Sequence, residues 1–370
     1  MKELLKELVR ADTSEGKGEV KAAEIVAARF RRSGVEARVD GWDERRANVI
    51  AHVKSDGGKG ALLFVCHLDV VGPGQAQWVY PPFEAVEVDG KIHGRGSVDM
   101  KGGIAAAVTA ICEVVDSGAK LYGDVIFAGT AGEETDGSGI RRFVSDAEWM
   151  PRLLGVVIPE PTGFAVVTAH RGLVWLKVTT KGKAAHSSTP ELGINAISSM
   201  KRVLNELENY RINAEPHRLL GKSSMSINTI SGGKAMNIVP DECTIGIDIR
   251  TVPGQSTSGI VSDLKATVGK LKVGDPKFDA DVNVVRESES LETDAGCEFV
   301  RKFLDAVGVK ESIAVGWTTD GPHLVKLGAP IVIFGPGESE LCHKADEYIN
   351  ISDIDKAVDC YKNIISTFLG

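Results

Sequence analysis

The chain has 370 residues, 43% of them hydrophobic and 25% charged. That is the balance of a soluble globular protein, and the length points to two domains or to one large domain carrying an insertion. The formal net charge of -8 argues against a nucleic-acid-binding surface spread over the whole molecule.

Residues 3–10 place Leu4, Leu5, Leu8 and Val9 on one helical face, and the alanine-rich stretch 19–33 reads as a helix closed by Gly34. The run 61–66 (ALLFVC) is short, continuous and rich in branched residues, as a strand buried on both faces should be. The runs 125–128 (VIFA), 155–158 (GVVI) and 330–334 (PIVIF) share this character, and 103–116 reads as a buried helix that stops at Ser117-Gly118. Strands alternating with helices predict an α/β layered domain. The middle of the chain changes pattern. It reads as a strand at 173–180, a helix at 191–209 after Pro190, strands at 224–230 and 244–250, a helix at 256–271, and a strand at 279–285. In 244–250, Ile245, Ile247 and Ile249 alternate with Gly246, Asp248 and Arg250, as on a half-buried sheet. The order β-α-β-β-α-β is the ferredoxin-like pattern. The expectation is therefore a mixed, mainly parallel sheet flanked by helices (1–171 plus 289–370), interrupted by a smaller α+β domain at 172–288.

No run reaches the ~18 uninterrupted apolar residues of a membrane span. The opening MKELLKELVRAD is charged throughout and unlike a signal peptide, so a cytoplasmic location is expected, with no membrane or nucleic-acid partner. Six scattered cysteines form no C-x-x-C pair and read as reduced thiols.

The chemical signal lies where the buried strands end. Strand 61–66 runs into His67-Leu68-Asp69, strand 125–128 into a turn with Glu133-Glu134, strand 155–158 into Pro159-Glu160, and strand 330–334 into a glycine-rich loop reaching His343. The carboxyl ends of parallel strands form the ligand-binding edge of such sheets. A fifth contribution is the loop 94–103 (GRGSVDMKGG), which sets Asp99 near a helix N-terminus. Carboxylates crowded together repel unless protons or cations intervene, so two imidazoles among several carboxylates suggest sites for divalent cations, zinc first among them. His67 and Asp69 are two apart and point the same way in extended geometry, so Asp69 is expected to accept the second N–H of His67. Glu133 and Glu134, being adjacent, point differently: one suits a cation and the other a water, as a base. Taken singly, each residue has an ordinary reading. Asp99 fits a helix cap, Glu133-Glu134 a solvated acidic pair, Glu160 a turn, His343 a charged surface.

The ordered motifs H-L-D-V-V (67–71), G-R-G-S-V-D-M-K-G-G (94–103), A-G-E-E (131–134), E-P-T (160–162), A-H-S-S-x-P (185–190), D-I-R-x-x-P-G (248–254) and G-P-G…H-x-x-D-E-Y (335–348) cover nearly the whole chain. Together they resemble the M20-type family of co-catalytic zinc peptidases and deacylases, which contains acetylornithine deacetylase, succinyl-diaminopimelate desuccinylase and glutamate carboxypeptidase. The resemblance implies two divalent cations, most simply zinc, with cobalt or manganese as alternatives. His67 and Glu160 would hold one, Glu134 and His343 the other, with Asp99 bridging. Glu133 would be the general base and then the proton donor, Asp69 would count with it among the catalytic residues, and the Asp99–Met100 peptide would be cis. The inserted domain would act as a lid and as the interface of a homodimer. From it His186 would reach an active site, its own or the partner subunit's, to stabilise an oxyanion, while Asn237 and Arg250 would bind the substrate's carboxylate or amide groups. For Arg250 a plain ion pair with Asp248 or Asp241 is the competing reading.

Gly72, where the family often has proline, and Pro159, where glycine is usual, depart from the pattern without removing a ligand. Glu160, rather than aspartate, leans towards an N-acyl amino acid or a C-terminal residue as substrate, and several stretches look most like acetylornithine deacetylase. A desuccinylase, or a metallo-carboxypeptidase or dipeptidase acting on short peptides, is the alternative within the family. Outside it stands a non-catalytic metal- or solute-binding protein. A dinucleotide-dependent enzyme is disfavoured because Gly94-Arg95-Gly96 lacks the third glycine of its fingerprint, and a serine hydrolase because no G-x-S-x-G occurs.

Overall fold

The computed structural model describes residues 1–212 and 215–370. They form two compact units, one of Met1–Thr168, Thr293–Ile313 and Thr319–Gly370, the other of Ala169–Glu292 with Ala314–Thr318. The return segment Ala314–Thr318 thus groups with the second unit, where the sequence reading placed it in the first.

The first unit is built on a mixed sheet. Its strands run in the order Glu36–Gly41, Ala47–Val53, Asp124–Thr130, Ala61–His67, Leu153–Ile158, Ile331–Ile333, after which Ile333 pairs with Val167. Ala61–His67 lies parallel to both its neighbours, and Leu153–Ile158 lies parallel to Ile331–Ile333. Glu36–Gly41 and Ala47–Val53 continue the sheet antiparallel. Every residue of Ala61–His67 is buried, which is why its sequence shows no polar alternation. Leu62, Phe64 and Cys66 point into one cluster with Val125 and Phe127 of the adjacent strand, Ile104 and Val108 of helix Gly102–Asp116, and Ile354, Tyr361 and Ile365 of helix Ile351–Leu369. Each of these large side chains contributes roughly 1.5–3 kcal/mol by leaving water.

One glycine sets the spacing that matters for chemistry. A Cβ on Gly103 would sit 2.1 Å from the Pro159 carbonyl oxygen, so only glycine lets the helix start this close to the strand end bearing Glu160.

The second unit is a four-stranded antiparallel sheet ordered Ser224–Gly232, Glu242–Thr251, Gly172–Lys181, Asp279–Ser288. Helices Ala196–Asn209 and Thr257–Gly274 connect the strands, giving the ferredoxin-like order. Met200, Val203 and Leu207 from one helix and Val261, Leu264 and Val268 from the other join Val174, Leu176, Ile245, Ile247 and Ile249 in its core. The predicted helix 191–209 is divided. Pro190–Leu192 is a single tight turn, Gly193 is extended, and the helix proper starts after Asn195, whose side chain accepts from Ser198 N at 3.1 Å. An asparagine cap gives the backbone a local acceptor in a non-helical conformation and so fixes the later start. No helix among the described residues is long and apolar enough to cross a membrane.

Candidate active site

Register delivers the site. His67 is level with Thr130 in the parallel pair, so Leu68-Asp69 leaves the sheet beside the turn 131–134, and Leu68 N donates to Thr130 O at 2.7 Å. Ile158 is level with Ile333, so Glu160 leaves beside the loop that leads to His343. Asp99 arrives on the loop preceding helix Gly102–Asp116, and the Asp99–Met100 peptide is cis.

His67 Nε2 lies 3.0 Å from Asp99 Oδ1 and 3.6 Å from Glu160 Oε1. His343 Nε2 lies 3.2 Å from Asp99 Oδ2 and 2.9 Å from Glu134 Oε1. Asp99 therefore stands between two imidazoles with one oxygen towards each. Ligand-type atoms of His67, Asp99 and Glu134 all fall within 4.8 Å of one another. His67 and Glu160 are buried, Asp99, Glu133 and Glu134 half-buried, and His343 exposed at the rim with a left-handed backbone, φ 63°.

Asp69 does something different from what its spacing suggested. The acceptor at His67 Nδ1 is the Asp69 backbone carbonyl, at 2.9 Å, while the carboxylate lies 3.7 Å away. That carboxylate instead accepts from Gly132 N at 2.9 Å and Glu133 N at 3.1 Å through Oδ1, and from Glu134 N at 3.0 Å through Oδ2. Three adjacent amides present a concave anion site, and a buried carboxylate satisfies them better than it could a single ring N–H.

The cluster perturbs its own titration. Burial pushes the Glu133 carboxyl well above the usual range, with Asp320, Glu134 and Glu160 adding to the effect and His67 opposing it. Burial raises Glu160 to about 8 against the pull of His67. Burial works against a charged His67, yet Glu160, Asp99 and Asp69 prevail and hold it well above a normal imidazole. Hydrogen bonds to Asp99 and Glu134 raise His343 to about 10. Asp99 is lowered despite its burial, by the two histidines.

Several contributors were not singled out from sequence. Glu347, 1% exposed, holds the loop that carries Asp99. Arg95, also buried, faces it at 2.6 Å. Asp320 is a buried carboxyl whose charge is felt at Glu133 and Glu160. Glu347 stood inside the H-x-x-D-E-Y motif and Arg95 inside G-R-G, so the signal was present without a role attached.

The remaining expected residues belong to the second unit. His186 is exposed, with Nδ1 2.7 Å from Ser188 Oγ. Ser187 N donates to Asn237 O at 3.1 Å, so the His186 and Asn237 segments lie side by side. Arg250, the penultimate residue of strand Glu242–Thr251, makes a two-point contact with Asp248, at 2.8 and 3.1 Å, as the plainer reading of that residue had it.

The donors of the first unit fit a pair of divalent cations. Each imidazole Nε2 is accompanied by two carboxylates, Asp99 being common to both groups, and three nitrogen and oxygen ligands with an open position is the usual catalytic arrangement. With Nδ1 held by a carbonyl, Nε2 of His67 is the nitrogen that faces the carboxylates.

Comparison with known proteins agrees with this chemistry. Residues 63–367 match the model of peptidase family M20/M25/M40. A probable succinyl-diaminopimelate desuccinylase of Staphylococcus epidermidis is 30% identical over 398 aligned positions, covering 99% of this chain and 97% of the relative. An acetylornithine deacetylase of Myxococcus xanthus is 30% identical over 378 positions, with the same coverage of 99% and 97%. The crystal structure of an M20 family metallo-carboxypeptidase from Sulfolobus solfataricus superposes with a TM-score of 0.83 at 18% identity, over 98% of each chain. A family match over most of the chain, with relatives aligned nearly end to end, means that the chain belongs to peptidase family M20/M25/M40 and is a hydrolase of amide bonds.

Proposed function

We propose that the protein removes the acyl group from an N-acyl amino acid, in the manner of an acetylornithine deacetylase, with two divalent cations held at the cluster. His67 and Glu160 would hold one cation, Glu134 and His343 the other, and Asp99 both. Zinc is the first choice for nitrogen and carboxylate donors, with cobalt and manganese as alternatives. When bound, such a pair supplies Lewis acidity, lowering the pKa of a water towards neutrality and polarising the scissile carbonyl. Glu133 would take the proton from that water and return it to the departing amine. His186 would steady the charge that develops on the carbonyl oxygen, and Asn237 and Arg250 would bind the amino-acid end of the substrate. Asp69 would act through the backbone of 132–134.

The observation that carries this reading is the placement of Asp99 between His67 and His343, with Glu133 in the adjoining turn. A desuccinylase is the second reading, favoured by the relative of that name at the same 30% identity. A cytoplasmic homodimer joined through the second unit belongs to the same proposal. It is supported by the exposed apolar side chains Ile227, Ile230, Met236 and Ile238 on that unit, and gel filtration with light scattering tests it.

The function is tested with N-acetyl, N-succinyl and dipeptide substrates, each assayed with zinc, cobalt and manganese and after chelation. Hydrolysis of N-acetyl amino acids that stops on chelation and returns with metal is expected. A preference for N-succinyl substrates moves the assignment to the second reading, and failure on every acyl amino acid rejects both.

A further inference from the structure

Glu347 lies four residues beyond His343, and its carboxylate is bound to the loop that carries Asp99. Oε1 accepts from Val98 N at 2.8 Å and from Asp99 N at 3.1 Å. Oε2 accepts from Gly96 N at 3.0 Å and from Arg95 Nη1 at 2.6 Å. The Glu347 carbonyl accepts from Gly94 N at 2.9 Å. Strand pairing explains how the two segments meet. Tyr348–Asn350 runs antiparallel to Lys91–His93 with Tyr348 opposite His93, so the residue before one strand faces the residue after the other.

A carboxylate buried only to pair with an arginine is weak evidence of stabilisation, because the desolvation cost rivals the attraction. Here the arginine is one partner among four, and the other three are consecutive or near-consecutive amides ending at Asp99 itself. Moving the Asp99 amide moves its Cα and the carboxylate it carries. Sites of this kind tolerate displacements of only about 0.5 Å. The same residue also fixes the end of the segment that starts with His343.

We infer that Glu347 is a positioning residue for the metal pair: it ties the Asp99 loop to the His343 segment, so that each oxygen of Asp99 faces its own imidazole. The inference rests on the dinuclear reading above and deepens it.

Cobalt(II) titration of the metal-free full chain tests it, read by the visible absorption of the bound ion and by affinity, with kcat and KM on the same samples. Wild type is expected to bind two cobalt ions. Glu347→Gln keeps the size of the side chain but presents an amide NH2 to at least one N–H donor. It is expected to stay folded by circular dichroism, to bind the second cobalt about 10- to 100-fold more weakly with an altered absorption band, and to lose kcat with little change in KM. Glu347→Asp keeps the charge and both oxygens but draws them back by one methylene, and the same loss is expected. If wild type binds fewer than two ions, the dinuclear reading itself fails and the inference with it. If wild type binds two and a folded Glu347→Gln matches it in affinity, spectrum and kcat, the inference alone is overturned. Loss of fold in both variants would make Glu347 a purely structural residue and overturn it equally.

Discussion

Asp69 shows how a residue can be found for one reason and serve for another. Its two-residue distance from His67 drew attention to it, but side-chain direction along an extended segment says nothing about competing donors. The amides of Gly132, Glu133 and Glu134 take both carboxylate oxygens and leave the imidazole to a backbone carbonyl. Asp69→Asn therefore opposes an amide NH2 to at least one backbone N–H. We expect a loss of about 1–3 kcal/mol in a denaturant titration and a fall in kcat of about tenfold or more as the turn shifts. Unchanged values for both would mean that the turn holds its shape without Asp69. Glu133 gives the complementary case. Glu133→Ala removes the proposed base and none of the five proposed ligands, so metal content by mass spectrometry should equal wild type while kcat falls about 10²- to 10⁴-fold. A variant that is both loaded and active would remove Glu133 from the mechanism. These residues were legible because their types sit at strand ends in a recognisable order. Glu347 lay inside one of the motifs but its role was not legible, because its partners are backbone amides some 250 positions earlier, which no residue type announces.

At the scale of elements, the central strands were readable because burial on both faces leaves an unbroken apolar run, as in Ala61–His67. The edge strand Glu36–Gly41 was not, since its mixture of exposed and half-buried residues carries no such run. Helices Glu298–Val307 and Ile351–Leu369 were also passed over, although Ile354, Ala357, Val358, Tyr361, Ile364 and Ile365 keep helical spacing. The second unit was legible as a β-α-β-β-α-β succession, though not in the order of strands within its sheet, and most clearly at Glu242–Thr251, whose alternate residues are buried. What no pattern reveals is how closely two elements approach. The Gly103 contact with Pro159 is such a fact, and it joins the helix behind Asp99 to the strand end before Glu160. Gly103→Ala places a methyl against a backbone oxygen that has no rotamer to escape into. We expect a loss of about 1–3 kcal/mol from overpacking, seen as a lower melting temperature, together with weaker cobalt binding. A variant as stable as wild type would show that the helix can shift freely, and the proposed coupling of spacing to the site would fail.

The molecule as a whole carries a net charge of -8, which favours the approach of cations over anions. Its response to pH reaches beyond the active site. His170 is 0% exposed and sits in the second unit, with Nδ1 donating to the Arg171 carbonyl at 2.8 Å. Burial drops its pKa to about 4, only partly opposed by backbone hydrogen bonds. In the unfolded chain the same imidazole titrates near ~6.5. Between these values the unfolded state binds a proton that the folded state refuses, so stability falls as the pH drops from about 6.5 towards 4, and the contribution is complete above that window. At pH ~4.5 the loss attributable to His170 amounts to about 2–3 kcal/mol. Carboxylates titrate over the same range, so the quantity to measure is a difference of differences. Urea unfolding at pH ~7 and ~4.5 is compared for wild type and His170→Gln, whose side chain can still donate but cannot charge. The variant starts less stable at neutral pH and should lose about 2–3 kcal/mol less on acidification. Parallel pH dependence in the two proteins would show that His170 titrates normally in the folded state, and the acid sensitivity would then have to arise from the carboxylates alone.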